Sequence, residues 1–213
     1  MTINKKYISL LEAILCSLAL MFFSLFINSG TPLPLFAIAA LIVPAWFFSR
    51  NLQSFSDFRR IAHTPASAKI TVLYCFAGLL AGILFSTLYR WHLGITLFPQ
   101  SFHLFALIAA LIGATEELVF RGFIQDQVKN INSSFSILFG TLSHTAYKCC
   151  LFLSPMATAG IDIRFLAFWT LIAGILAGTI KHFSKSILPP MIAHALFDIM
   201  VYAGFVNPPW WVW

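Results

Sequence analysis

Residues 113–122 read GATEELVFRG and place two carboxylates and a guanidinium inside a long apolar stretch. A charged side chain costs several kcal/mol in hydrocarbon, so such residues usually face a bundle interior and mark a working site. Two later apolar stretches also carry polar side chains, at residues 139–144 (FGTLSH) and 192–198 (IAHALFD). Together the three stretches supply the side chains of a site that activates water.

The composition indicates an integral membrane protein. The chain is 60% hydrophobic and 9% charged, whereas soluble domains are about 25% charged. Its 13 Lys and Arg against 7 Asp and Glu would also suit a nucleic-acid binder, but no basic stripe interleaved with aromatic residues is present. We therefore expect the lipid bilayer as a partner and no nucleic acid. The four cysteines show neither zinc-finger spacing nor a disulfide framework.

Apolar runs divide the chain into about seven predicted spans, each long enough or nearly long enough to cross a bilayer. They lack the ~10-residue alternation of membrane β-strands, so the predicted fold is all-α: one polytopic transmembrane helical bundle over residues 1–213. The first run exceeds a signal-peptide core and is interpreted as a retained anchor. The spans are Tyr7 to Asn28, Pro32 to Phe48, Ile70 to Tyr89, Phe102 to Gln125, Ser133 to Phe152, Phe165 to Ile180 and Ile187 to Val206.

The distribution of basic residues predicts a cytoplasmic N-terminus, because Lys and Arg collect in cytoplasmic loops. This orientation places two basic residues outside, Arg90 and Arg164, and puts the C-terminal residues 208–213 (PPWWVW) at the outer interface. We expect the cell membrane of a bacterium. The nine basic residues placed inside are Lys5, Lys6, Arg50, Arg59, Arg60, Lys69, Lys129, Lys181 and Lys185.

In this topology three helices carry their polar residues at one depth. At 1.5 Å per helical residue, Glu116 lies roughly 15 Å from the inner end of its span and His144 roughly 17 Å from the inner end of the next. His194 and Asp198 lie roughly 10 to 17 Å from the inner end of the last span. One shared site, nearer the cytoplasmic face, is the economical explanation.

Spacing within the helices refines this site. Glu117 and Arg121 are four residues apart and can form an ion pair on one helix face. Glu116 points about 100° away from that face. His194 and Asp198 are also four residues apart, so both can project into one cavity.

These motifs resemble those of the CPBP intramembrane proteases, a group that includes CAAX prenyl endopeptidases and bacteriocin-processing or self-immunity proteins. Glu116-Glu117 followed by Arg121 matches the first motif, and His194 followed by Asp198 matches the third. The resemblance covers roughly residues 106–204, which we take as the protease core.

The second motif departs from the family pattern. The family has Phe-x-x-x-His, but Gly140 stands four residues before His144, and Phe139 is displaced by one position. The role of the phenylalanine is therefore open in this chain, whereas His144 itself is in place.

The resemblance implies an intramembrane endopeptidase that acts on a membrane-anchored protein or peptide. Glu116 is the expected base that activates water, with His144 sharing that water. Glu117 is expected to be held by Arg121. The substrate carbonyl is expected to face His194 and Asp198.

The family usually has Asn where this chain has Asp198. An amide donates a hydrogen bond to an oxyanion, but an ionised Asp cannot donate. Asp198 must therefore orient His194, be protonated, or bind a metal. With no cofactor the mechanism is of the glutamate type, which we favour. In the metal-dependent alternative a divalent ion such as zinc, which suits these ligand types, has His144, His194 and Asp198 as candidate ligands.

Two other classes of function fit intramembrane Glu, His and Asp. A proton-coupled transporter uses such residues as a relay, but the chain is short and shows no paired inverted halves. A non-catalytic membrane immunity or scaffold protein would retain the fold without needing the complete Glu-His-His set. Cleavage of a tethered peptide by wild type but not by a Glu116 variant separates the three.

Overall fold

The computed structural model describes residues 2–54, 56–57, 68–154 and 162–207, with side chains from residue 6 onward. Within these ranges the regular structure is helical and contains no strand, which confirms the all-α prediction. Several predicted features lie outside the described residues: the side chain of Lys5, much of the 49–67 loop with Arg59 and Arg60, and residues 208–213.

The helical elements follow the predicted spans closely. In chain order they are α1 (Thr2–Phe26), α2 (Leu33–Ala40), α3 (Ile42–Asn51), α4 (Ala68–His92), α5 (Phe105–Glu117), a π-helical segment (Leu118–Ile124), α6 (Gln125–Val128), α7 (Ser133–Leu153), α8 (Ile163–Ser184) and α9 (Leu188–Tyr202).

Among the described residues, four helical stretches are long and apolar enough to cross a membrane: Lys6–Phe26, Leu33–Asn51, Ala68–His92 and Ile163–Ser184. The shorter α9 is also apolar. Large apolar side chains are exposed on the outer surface of these helices, for example Leu73, Leu80 and Trp91. In a bilayer that surface contacts lipid, so the protein is an integral membrane helical bundle.

The second predicted span consists of two helices, separated at Leu41. Pro44 explains the break, since proline has no N–H and its ring clashes with the carbonyl four residues earlier. The chain therefore begins a new helix at Ile42, with Pro44 in its first turn.

Helix α9 packs against both α4 and α5. Gly78 and Gly82 of α4 face it so closely that an added Cβ would lie 2.3 Å from the Pro189 carbonyl oxygen and 2.5 Å from that of Ala193. Small residues four apart permit this backbone contact between membrane helices. The contact determines the position of α9, and with it His194.

Capping residues determine where α7 and α8 begin. Asn132 accepts hydrogen bonds from the backbone N–H groups of Ser134 and Phe135, at 2.8 and 3.1 Å. Asp162 does the same at the start of α8. Such side chains satisfy N–H groups that have no partner within the helix. They set the axial position of α7 and therefore of His144.

The apolar core nearest the candidate site joins α1 to the π segment and to α7. It contains Ala13 and Cys16 of α1, Phe120 and Phe123 of the π segment, and Tyr147 of α7. The polar residues of the sequence motifs lie on α5, the π segment, α7 and α9.

Candidate active site

The two adjacent carboxylates end helix α5. Glu116 and Glu117 are both buried, and from Leu118 the chain continues as a π helix that contains Arg121. A π segment inside a helix is rare and frequently lies at a functional site. Here it keeps the carboxylates and the guanidinium in one continuous helical run.

Glu116 contacts three side chains from two other helices. Its Oε2 lies 3.1 Å from Nε2 of His144 and 3.7 Å from Nε2 of His194. Its Oε1 accepts a hydrogen bond from the ammonium of Lys148 at 2.5 Å. The two oxygens of Glu116 therefore have different surroundings: one faces two imidazoles and the other faces a cation.

Glu117 points to the neighbouring helix and binds the second histidine. Its Oε1 accepts from Nδ1 of His194 at 2.9 Å. Its Oε2 lies 3.4 Å from Nε of Arg121, an ion pair without the geometry of a hydrogen bond. The predicted ion pair of Glu117 and Arg121 is present, but the closest contact of Glu117 is with His194.

Arg121 also determines which nitrogen of His144 carries hydrogen. Its Nη1 lies 2.6 Å from Nδ1 of His144. A guanidinium only donates, so Nδ1 must accept, and in the neutral ring the hydrogen is on Nε2. That N–H then donates to Glu116. Arg121 thus positions the imidazole that holds the candidate base.

The same argument assigns the hydrogen of His194. Its Nδ1 donates to the Glu117 carboxylate, so in the neutral ring Nε2 carries a lone pair. This atom lies 3.7 Å from Glu116 Oε2 and 3.8 Å from Asp198 Oδ2, beyond direct hydrogen-bond distance. The arrangement leaves an acceptor nitrogen between two carboxylates, with no direct hydrogen bond to either.

The position of Asp198 differs from the sequence-based expectation that it orients His194. Glu117 makes the orienting hydrogen bond instead, at the other ring nitrogen. The reason lies in the close approach of α5 and α9: a Cβ on Gly113 would lie 2.2 Å from Asp198 Oδ2. Asp198 fits beside that glycine and reaches only the Nε2 side of the ring.

The structure thus brings all six predicted site residues into one connected cluster on three helical runs, although the network of contacts differs from the expected one. Comparison with protein families then gives one match, over residues 97–200, to the family described as type II CAAX prenyl endopeptidase Rce1-like.

Residues 97–200, just under half of the chain, are similar to the Rce1-like family.

The match confirms the resemblance to the CPBP proteases and supports an intramembrane endopeptidase as the general class. Neither the curated proteins nor the solved structures gave a match to the chain.

Sequence reasoning missed one polar residue within the matched region. Lys148 contacts Glu116, and its side chain is 18% exposed. It follows His144 by four residues, so the two share a face of α7. That spacing, together with a lysine inside an apolar run, was the available signal.

The departure from the Phe-x-x-x-His motif has a structural explanation. A Cβ at Gly140 would already lie 3.1 Å from the backbone oxygen of Phe120, which leaves no space for a larger side chain. Phe120 itself stacks on His144, with ring centroids 4.5 Å apart. In this chain the aromatic contact to the histidine comes from the π segment.

Two cavities border the adjacent carboxylates, one at Glu117 and the other at Glu116. The first, about 160 Å³, is bordered by Glu117, His144, Lys148, His194 and Asp198 and has aromatic walls from α4, α8 and α9. The second, about 480 Å³, is almost entirely apolar and reaches Glu116 between α1, α3 and α5. A substrate therefore has an apolar region on either side of the polar cluster.

The arrangement of ligands bears on whether this site holds a metal. Among the described residues, no three His, Cys, Asp or Glu side chains are grouped as a metal site. Instead, Lys148 lies beside Glu116 and Arg121 lies beside His144. One cationic side chain at a candidate ligand and a second at the adjacent carboxylate oppose a divalent cation, so the site as arranged is a poor fit for one.

Proposed function

We propose that this protein is an intramembrane endopeptidase that hydrolyses peptide bonds of membrane-associated or lipid-anchored substrates. The observation that carries the proposal is the convergence on Glu116: both imidazole Nε2 atoms lie within 3.7 Å of its Oε2. One water placed there is within reach of the carboxylate and of His194. Activation of water by a carboxylate is the central requirement of peptide hydrolysis without a covalent intermediate.

In the proposed reaction Glu116 removes a proton from the water, and the resulting hydroxide oxygen bonds to the substrate carbonyl carbon. The carbonyl becomes an oxyanion. When the oxyanion collapses, the C–N bond breaks and the proton on Glu116 passes to the leaving amine. The products are a carboxyl group and an amine. His144 holds Glu116 through its Nε2–H, and Glu117 and Arg121 hold the two imidazoles.

The surroundings of the cluster support a substrate with an apolar anchor. The cavity of about 480 Å³ is open to Glu116 and lined by residues such as Leu20, Phe23 and Ile112. Placing a lipid chain there buries apolar surface at roughly 25 cal/mol per Å². The peptide bond would then lie at the polar cluster, beside the aromatic cavity.

We further propose that no cofactor takes part. Purified active protein should contain no stoichiometric zinc and should keep its activity in the presence of a chelator. Loss of activity on chelation, restored by zinc and absent in His144→Ala and His194→Ala, would establish the metal-dependent route instead.

The proposed orientation has a cytoplasmic N-terminus and a site nearer the cytoplasmic face of a bacterial cell membrane. Cysteine introduced at Ser29 or at Lys185, one at each predicted side, tests this. A membrane-impermeant thiol reagent applied to intact cells should label the first and spare the second in a background without native cysteines. The opposite labelling would reverse the orientation.

The activity is tested with protein reconstituted in liposomes and three versions of one peptide. One version carries an S-farnesyl cysteine near its C-terminus, one carries an N-terminal acyl chain, and one has no anchor. Wild type should cleave an anchored version at a single internal bond, identified by mass spectrometry, and Glu116→Ala should not. Proton flux without cleavage would instead establish a transporter. Absence of both cleavage and proton flux would identify a non-catalytic protein.

A further inference from the structure

Lys148 is a cation that both contacts the candidate base and borders the aromatic cavity. Its Nζ donates to Glu116 Oε1 at 2.5 Å, on the opposite oxygen from the two histidines. Its side chain also forms part of the cavity wall together with His194 and Asp198. The ammonium has three N–H donors, and the contact with Glu116 uses one of them.

Hydrolysis at this site needs a donor for the oxyanion, and within the motif cluster an ionised Asp198 and a neutral His194 do not supply one. Asp198 as a carboxylate only accepts. His194 uses its Nδ1–H on Glu117, so the Nε2 that faces the cavity accepts as well. A neutral His194 therefore cannot stabilise negative charge through its Nε2.

Arg121 is a donor, but it is committed elsewhere. Its side chain is 1% exposed, its Nη1 contacts His144, and its Nε faces Glu117. The remaining Nη2 lies against α8, where an added Cβ on Gly174 would approach it to 2.9 Å. The guanidinium is enclosed by its own structural contacts.

We propose that Lys148 is the catalytic residue that stabilises the oxyanion, in the position where Asp198 cannot donate. This inference rests on the proposed endopeptidase function. The ammonium binds Oε1 of Glu116, and a water placed on Oε2 would be held by the other oxygen of the same carboxylate. The carbonyl oxygen of the attacked bond then comes within reach of a free N–H of Lys148. The lysine keeps its protons throughout and forms no covalent bond.

The first test measures kcat and KM for cleavage of the anchored peptide by Lys148→Met, an apolar residue of similar length. Loss of an oxyanion donor lowers kcat by about 10²- to 10³-fold, and KM should change little because the donor acts in the transition state. The matched control is Lys69→Met, at an exposed lysine at the start of α4, which should behave as wild type.

A second test separates donation from simple charge balance. Three carboxylates surround the two cations of the cluster, so removal of one negative charge is a second way to compensate for loss of Lys148. In the Lys148→Met background, Asp198→Asn restores a donor, whereas Asp198→Leu removes the charge without one. We expect at least a tenfold recovery of kcat with Asn and none with Leu.

Three results would overturn the inference: wild-type kcat in folded Lys148→Met, equal recovery with Asn and with Leu, or no recovery with either. If Lys148→Met does not fold, Lys148→Arg is tested instead, because it keeps the charge beside Glu116 but moves the donors. A kcat of Lys148→Arg at least tenfold below wild type supports the proposal, and a wild-type kcat refutes it. Failure of wild type to cleave any anchored peptide would instead reject the proposed function itself.

Discussion

Two polar clusters lie along the helical run of residues 105–128, and they differ in how their charges are paired. The Asp126 cluster consists of Asp126, Lys129 and Lys181, and each oxygen of its one carboxylate binds one lysine. The site cluster has three carboxylates, from Glu116, Glu117 and Asp198, against two cationic side chains and two imidazoles. In the first arrangement every charged group has an ion-pair partner, and the pairs join α6 to α8.

The site cluster retains groups whose hydrogen-bonding capacity is not used up inside the protein. Nε2 of His194 and the carboxylate of Asp198 face each other at 3.8 Å without a hydrogen bond. Such groups are available to water or substrate. The comparison therefore separates ion pairs that hold helices together from a network left incomplete for a ligand, and four predictions test this difference.

The largest expected difference comes from the same chemical change in both clusters. Glu116→Gln should lower kcat at least ~10³-fold, because the amide cannot take a proton from water. Asp126→Asn should stay within about threefold of wild type, since its ion pairs lie outside the reacting groups. The measurement is cleavage of the anchored peptide. Near wild-type cleavage by Glu116→Gln would remove Glu116 as the base.

The second prediction concerns stability. Arg121→Ala should destabilise the protein by about 3–5 kcal/mol, because it leaves the Glu117 carboxylate buried with one partner fewer. Lys181→Ala should cost about 1 kcal/mol, since its partner Asp126 keeps Lys129. Denaturant titration of detergent-solubilised protein measures both. A stable but inactive Arg121→Ala would mean that Arg121 acts directly in the chemistry.

The third prediction tests the close approach of α5 and α9. Gly113→Ala would place a Cβ 2.2 Å from Asp198 Oδ2 and 2.8 Å from the His194 ring, so both must move. We expect kcat to fall about 10- to 100-fold, since small displacements in an active site are costly. Gly30→Ala is the control, because that position has open space around it. Equal activity of the two variants would contradict the contact.

The smallest effect is expected outside both clusters. Ser143 precedes His144 but turns toward α1, where its hydroxyl lies 2.9 Å from that of Ser17. Ser143→Ala should retain wild-type kcat and lose about 0.5–1.5 kcal/mol of stability, the typical worth of one hydrogen bond. A large loss of activity in folded protein would contradict this and indicate that Ser143 acts in the chemistry.

Much of the fold was predictable because membrane helices follow from apolar length and composition alone. All seven predicted spans coincide with helices in the described part of the chain, but the break at Leu41 and the π segment were not predicted. That break depends on Pro44, which lies inside the apolar run and interrupts the helix.

The residues that form the site were more predictable than the contacts between them. Spacing placed Glu116, His144 and His194 on separate helices at one depth, and the structure joins them. The partners of each group were not predictable, because they depend on distances between helices. Gly113 determines where Asp198 lies, and Lys148 enters the network only because α7 faces α5.

The π segment makes the site sensitive to the length of the chain. Downstream of it, the side-chain amide of Gln125 is anchored to the Gly178 carbonyl oxygen at 3.2 Å; upstream of it stand the two carboxylates. Deletion of one residue between Leu118 and Ile124 could restore ordinary α-helical hydrogen bonding, yet it would rotate Glu116 by about 100° relative to that anchor. Homologous chains should therefore accept varied side chains in this stretch but no insertion or deletion. Such a pattern would show that the number of residues in the stretch is constrained, and not their side-chain chemistry.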